Sequence, residues 1–185
     1  MALPSIFLDR LEKIIPDASL RTAIVASFSK VLRPAFRLHH HEAGHEAVSK
    51  NLIALGFELE PLPWQPEAFR LLNQDIRMLQ ETDAYKKNQI YIQNLASMLP
   101  VLALQPQPGE TILDLCAAPG SKTGQILRRM QGRGVLTVNE KIRNRFFKLK
   151  NNLETQGYSN FELTLKPGEL YCKIAPNTFD RVLLD

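Results

Sequence analysis

Ile112 to Ile126 read I-L-D-L-C-A-A-P-G-S-K-T-G-Q-I, and these residue types suit the capture of an anionic, nucleotide-like ligand. Thr111 to Cys116 are apolar and bounded in the manner of a buried strand. Ala117, Ala118, Pro119 and Gly120 leave almost no side-chain bulk, so a ligand can approach the backbone closely. Ser121 is placed to cap the helix that follows, whose free N–H groups and positive dipole end attract negative charge. A strand, a tight small-residue turn and a helix start mark a nucleotide-type cofactor site in an open α/β sheet. Neither G-x-G-x-x-G nor the G-x-x-x-x-G-K-[ST] phosphate loop is present. A second constellation, H-E-A-G-H from His41 to His45, matches the zinc-protease pattern H-E-x-x-H, with Glu42 as the general base. Gly44 weakens a helix there and no signature marks a third ligand among Glu58, Glu60 and Asp75, so a surface helix start is the preferred reading and no metal is expected.

The string D-L-C-A-A-P-G-S-K-T is far more specific than a glycine pattern. It resembles the cofactor motif of the Sun-type (Nol/Nop/Sun, RsmB/RsmF-like) RNA cytosine-5 methyltransferases, which use S-adenosylmethionine. The resemblance extends to I-Y-I-Q-N-L-A-S-M-L-P from Ile90 to Pro100 as a lead-in helix, G-V-L-T-V-N-E from Gly134 to Glu140 as a second strand, and F-D-R-V-L-L-D from Phe179 to Asp185 as a fourth. It is strong after Ile90 and weak before Trp64. It implies that Cys116, Ala117, Ala118, Pro119, Gly120, Ser121 and Lys122 form the cofactor loop, that Glu140 holds the ribose hydroxyls, and that Asp185 lies beside the methyl group and the target base. Glu140 follows Gly120 by twenty positions, the offset such an acid takes in dinucleotide folds; a solvated helix-start acid is the alternative. Asp114 reads more readily as a structural hydrogen bond than as a ligand contact, and Lys122 as either a contact residue or a surface lysine.

Two departures from the family pattern matter. Pro167, in K-P-G, stands where the family places an Asp that meets the adenine amino group, and proline offers neither a side-chain acceptor nor an N–H. Methylation of cytosine carbon 5 also needs a thiolate that adds at carbon 6. The resemblance puts that cysteine beyond Asp185. Cys116 reads as a small buried packing residue and Cys172 as an inert thiol in an irregular segment. The expectation is a C-terminally truncated methyltransferase acting on RNA, ribosomal RNA before transfer RNA, these 185 residues alone being inactive. A non-catalytic RNA- or cofactor-binding module is the alternative from another class.

The elements that must position these residues follow from periodicity. Ser5 to Ile15 and Asp17 to Lys30 carry helical spacing, broken by Pro16 and capped by Asp17. Pro34 to Leu38 suggests a short strand, Glu42 to Leu55 a helix ended by Gly56, and Phe57 to Leu62 and Ala68 to Leu72 two strands around P-L-P-W-Q-P. Residues 1–73 are expected to form a small α+β module that presents RNA, 74–88 a linker, and 89–185 an incomplete Rossmann-like methyltransferase domain, giving an α/β fold. In the last part a helix spans Gln89 to Leu104. Strands at Thr111–Cys116, Val135–Asn139, Phe161–Leu165 and Arg181–Asp185 alternate with helices at Ser121–Met130 and Lys141–Gln156, and right-handed crossovers make the sheet parallel.

The basic stretch K-I-R-N-R-F-F-K-L-K from Lys141 to Lys150 places Lys141, Arg145 and Lys148 near one helical face, either to neutralise RNA phosphates or as the solvated side of an amphipathic helix. A net charge of +4 permits an RNA partner without demanding one. Apolar residues make up 44% and charged residues 23%, which excludes a disordered chain, and no run suits a membrane helix. Two cysteines are too few for a disulfide scaffold, so a reducing cytoplasm is expected.

Overall fold

A computed structural model describes residues 3–30, 32–39 and 44–185. The chain divides into two compact units, Met1–Arg33 and Pro34–Asp185. The first is a helical hairpin, α1 (Ser5–Ile14) and α2 (Ala18–Ser27). Asp17 caps α2 by accepting from the Ser19 and Leu20 N–H groups at 2.8 and 3.1 Å. The Arg21 guanidinium donates to the Ile15 and Pro16 carbonyls and ties off the link, and Phe7 meets Phe28 edge-on at 5.4 Å.

The second unit opens with β1 (Ala35–Leu38), α3 (His45–Ala54), β2 (Leu59–Leu62), β3 (Gln65–Leu71), α4 (Ile76–Glu81), α5 (Asp83–Lys86) and β4 (Ile90–Ile92). The strands form an antiparallel sheet in the order β2-β3-β1-β4, with Phe36 opposite both Phe69 and Ile92. Phe36, Leu38, Val48, Leu52, Leu71, Leu79 and Ile90 share one core. Two expectations change here. Residues 74–88 are not a linker but carry α4 and α5, started by the Asp75 and Thr82 caps. Ile90–Ile92, expected as helix, is the edge strand of this sheet, so the sheet reaches past residue 73 into the segment assigned to the next domain. The lead-in helix is confined to a 3-10 turn at Leu95–Met98 and to α6 (Leu99–Leu104).

The rest is α/β: β5 (Thr111–Asp114), α7 (Ser121–Met130), β6 (Val135–Asn139), α8 (Arg143–Thr155), β7 (Glu162–Thr164), a 3-10 turn at Gly168–Leu170, α9 (Tyr171–Ile174) and β8 (Arg181–Leu183). The strands are parallel in the order β7-β6-β5-β8. Strands covered on both faces read as continuous apolar runs: Ile112, Leu136 and Val138 are buried against Ile126, Leu149 and Leu153 of the helices, and Leu113, on the other face of β5, is buried as well. No helix among the described residues is long and apolar enough to cross a membrane.

A polar seam joins the two sheets. Successive strand residues face opposite ways, so with Phe36 and Leu38 in the antiparallel core, Arg37 points the other way, toward α7. It is 1% exposed. Its Nε donates to Gln93 Oε1 at 3.0 Å, its Nη2 to the Ser121 carbonyl at 3.4 Å, and its guanidinium lies 4.8 Å over the Tyr91 ring. Beside it Arg128 of α7 donates to Glu67 at 2.6 Å and to the Leu38 carbonyl, and lies 2.5 Å from His45 Nε2. Burial lowers the Arg128 pKa, with the Glu67 carboxylate opposing that shift. The close approach depends on Gly124: a Cβ there would stand 2.9 Å from the Tyr158 ring and 3.2 Å from Arg37 Nη2. Valine at position 124 therefore cannot be added without displacing buried groups. Gly124→Val is expected to lose about 2 kcal/mol or more in urea denaturation; an unchanged midpoint would mean the seam yields freely.

Candidate cofactor site

The parallel sheet ends in a cleft at the carboxyl tips of its strands, built around one turn. After Asp114 the chain leaves β5, with the Leu115 N–H on the Leu183 carbonyl and the Ala117 N–H on the Asn139 carbonyl, both at 2.9 Å. Gly120 then precedes α7 with φ +105, and a Cβ there would lie 3.0 Å from Leu149 Cδ1. Both the backbone and the packing therefore call for glycine. Ser121 is the first helical residue and not the cap: the N-cap is Gly120, which has no side chain to offer. Four N–H groups at such a terminus lack intrahelical partners and face outward along the dipole.

The turn closes over a cavity of about 340 Å³ lined by Asp114, Cys116, Ala117, Ala118, Pro119, Ser121, Lys122, Arg145 and Asp185. Of the residues expected in the cofactor site, Gly120 and Glu140 are not on the wall. Gly120 lies between two residues that are. Glu140, 3% exposed, stands behind Arg145, whose Nη2 donates to the Ala118 carbonyl at 2.8 Å and whose Nη1 is 3.4 Å from Glu140 Oε2. Glu140 Oε1 accepts the Ile142 N–H at 2.9 Å, while buried Oε2 has no hydrogen bond. Lys122 Nζ pairs with Asp185 Oδ2 at 2.6 Å. Asp114 makes the structural bond expected of it, accepting from Thr123 Oγ1 at 2.7 Å, and also borders the cavity. Burial pushes its carboxyl up to about 6, with Asp185 adding to the rise and Thr123 and Lys122 opposing it.

Three expectations need correction. Cys116 is exposed on the cavity wall, not buried in packing, because the chain has already turned out of the sheet. Lys141 does not share a helical face with Arg145 and Lys148: α8 begins only at Arg143, which leaves Lys141 outside the helix, and the half-exposed Arg145 side chain is spent on the Ala118 carbonyl and Glu140. Cys172 sits on the short helix α9, exposed, its thiol donating to the Glu169 carbonyl at 3.1 Å. Pro167 leads the 3-10 turn, its carbonyl accepting the Leu170 N–H. His41 and Glu42 lie outside the described residues; His45 belongs to the Arg128 seam.

One residue escaped the sequence reading. Asn139 donates to the Leu115 and Lys166 carbonyls, both at 3.0 Å, and accepts from Thr164 Oγ1 at 2.9 Å and the Lys166 N–H at 3.2 Å. Its amide is fully used, and it fixes the tips of β5, β6 and β7 relative to one another. The signal was there: an amide ending a buried apolar strand must find partners. A larger groove of about 1000 Å³ runs past Pro106 to Pro108, Gln131, Gly132 and Gly157 to Asn160. Those loops lead into the amino ends of the strands, the wrong side for ligands of an open α/β sheet.

Comparison with known proteins bears on this cleft. Residues 101–185 match a family model described as 16S rRNA methyltransferase RsmB/F. The chain is 36% identical over 187 residues to ribosomal RNA small subunit methyltransferase F of Pectobacterium carotovorum, aligning 99% of this chain with 39% of that protein. It is 38% identical over 157 residues to a tRNA (cytosine(49)-C(5))-methyltransferase of Pyrococcus abyssi, covering 84% of this chain and 50% of the relative. A solved methyltransferase homolog from Pyrococcus horikoshii superposes with a TM-score of 0.78 at 28% identity, over 99% of this chain and 63% of that one. The chain thus spans about two fifths of the first relative's length and half of the second's.

The Asp114 carboxyl gives a test of the site independent of any ligand. Its pKa in the fold lies above the unfolded value of 3.8, so between the two the folded chain holds a proton that the unfolded chain has released. Stability from this group is full below pH 3.8 and is lost as pH rises through about 6. Asp114→Asn keeps an acceptor for Thr123. It is expected to exceed wild type at neutral pH by up to about 3 kcal/mol in urea denaturation and to match it below pH 3.8; equal stabilities at both would contradict the burial argument.

Proposed function

The chain belongs to the RsmB/F methyltransferase family, and on that premise we propose that the β5–α7 cleft binds S-adenosylmethionine for transfer of its methyl group, by the whole protein, to carbon 5 of a cytosine in RNA, ribosomal RNA before transfer RNA. The observation that carries the reading is Glu140: a buried carboxylate whose Oε2 accepts no hydrogen bond, one contact behind a cavity wall. Arg145 Nη1 holds that oxygen only as an ion pair at 3.4 Å, so its acceptor capacity is unused, and a pair of vicinal hydroxyls is a donor set that suits it.

Bound there, the cofactor supplies an electrophilic methyl on a positively charged sulfur. The residues of this chain bind and orient it. The first-turn N–H groups of α7 and the side chain of Lys122 favour the amino-acid carboxylate. Asp114 and Asp185 give the cavity negative charge opposite the sulfonium. Glu140 takes the sugar, for which Arg145 must share or cede its hold on Oε2. Pro167 contributes no side-chain acceptor to the nucleobase end, where backbone groups and apolar packing remain. The Met1–Arg33 hairpin and the antiparallel sheet are assigned to presenting RNA.

Addition of a thiolate at carbon 6 makes cytosine carbon 5 nucleophilic. Neither cysteine here is assigned that role. Cys116 belongs to the cofactor turn, and the Cys172 thiol is engaged with the Glu169 carbonyl. The thiolate is taken to come from outside these 185 residues, which by themselves are expected to bind cofactor without turnover.

Titration calorimetry tests the binding. One S-adenosylmethionine per chain is expected, weakened about tenfold or more by Glu140→Gln, since a charge-assisted hydrogen bond is lost. Absence of heat at millimolar ligand would overturn the assignment. The charge on Asp114 adds a signature. Affinity for S-adenosylmethionine should rise as pH passes about 6 and the carboxyl ionises, whereas S-adenosylhomocysteine, a neutral thioether, should lack that increment. Parallel profiles for both ligands would remove Asp114 from sulfonium recognition.

A further inference from the structure

Helix α8 has two unlike faces. Inward, Leu149 and Leu153 are buried on the parallel sheet, and Asn152 donates to the Pro119 carbonyl of the cofactor turn at 2.8 Å. Outward, Phe147 is 53% exposed at the centre of a face that it shares with Arg143, Asn144, Lys148, Lys150 and Asn151. Helical rotation of 100° per residue places all six within one half of the surface and puts Arg145 on the opposite side. Phe147 is held rather than loose. Its ring meets Phe146 edge-on at 5.5 Å with an interplanar angle of 88°, and the Arg143 guanidinium lies 5.8 Å from its centroid.

We propose that this face is a docking strip for a single-stranded segment of RNA, with Phe147 stacking on a base and Arg143, Lys148 and Lys150 neutralising phosphates. Charge complementarity selects the occupant. The only acid on the outward face is Glu154, at its far end, 3.7 Å from Lys150. One aromatic ring among lysines and amides does not make a protein-interface core, where lysine is depleted. It does reproduce the pairing of cationic groove and stacking ring by which proteins hold unpaired strands. A duplex would keep its base faces stacked away from the ring. Amides at Asn144 and Asn151 can address base edges. The strip begins three residues after Glu140, so a strand lying on it passes the mouth of the cofactor cleft. The proposal rests on the RNA-methylation reading for its partner, and it moves the RNA contact from Arg145 to Arg143 and Phe147.

Fluorescence anisotropy with a labelled single-stranded RNA and with its duplex, on the 185-residue chain, tests it. Phe147→Ala is expected to weaken single-strand binding about tenfold, the worth of one stacked base. Phe147→Leu, which keeps apolar bulk, should lose nearly as much. Arg143→Gln with Lys148→Gln should flatten the slope of log K against log salt by about 1.4. Unaltered affinity in both Phe147 variants, equal binding of the duplex, or no binding of either RNA would overturn the strip. Cofactor titration of the same samples separates the two readings. Heat retained in Phe147→Ala shows an intact fold, whereas RNA binding by a chain that takes no cofactor would sink the methyltransferase site and leave the strip standing.

Discussion

A single side-chain amide sets the height at which three parallel strands stop. Asn139 spends both its donors and both its acceptor positions on the tips of β5 and β7 while its own carbonyl receives the Ala117 N–H. The ladders set the stagger of β5 on β6 and of β6 on β7, but the residues just past the last ladder bond lie beyond that constraint. The amide supplies the missing constraint across three strands at once. With it in place, the Ala117–Gly120 turn is held beside the ends of β6 and β7, next to the Arg145 and Glu140 pair. Fully satisfied buried polar groups rigidify their surroundings, and half-satisfied ones do the reverse, so the cleft depends on this residue without being lined by it.

The second constraint works from behind. α7 carries the cofactor turn at its start and the polar seam along its flank, with Arg37 at Ser121 and Arg128 at Glu67 and Leu38. Buried guanidinium groups are costly to desolvate, and their geometry has to be good for the pairing to compensate. Arg37 meets that demand in part, with one side-chain bond, one carbonyl and one aromatic face, while its buried Nη1 has no hydrogen-bond partner. The antiparallel sheet therefore grips the same helix whose first turn borders the cavity, and Gly124 is the point of closest approach.

Much of the cofactor half was readable in the residues. The turn at Cys116 to Lys122, the strand at Val135–Asn139 and the parallel order follow from local patterns that a few consecutive side chains dictate. What was not readable depended on partners far away in the chain. Ile90–Ile92 has too few residues for its period to separate strand from helix, and only pairing with β1, over fifty residues earlier, decides it. Arg145 looked like a free surface cation because its spacing was counted from Lys141; the extended Ile142 delays the helix, and the half-exposed side chain reaches the Ala118 carbonyl and Glu140. Arg37 sits in a strand buried on both faces, and nothing near it in sequence announces that its partners are Gln93 and Ser121. The pieces of the site that chemistry selects were visible; those that only tertiary contact selects were not.

β4 leads almost directly into the cofactor half. Gln93, the residue just after it, accepts from Arg37 on one side and donates to the Ser97 carbonyl on the other. A cut anywhere between residues 73 and 93 would strip the antiparallel sheet of its edge or sever this relay. The two halves are thus not cassettes. A chimera that grafted a foreign antiparallel module onto this core would have to carry the donor's strand through to Gln93 and recreate the hollow at Gly124, so recombination at this junction is confined to breakpoints outside the interleaved stretch.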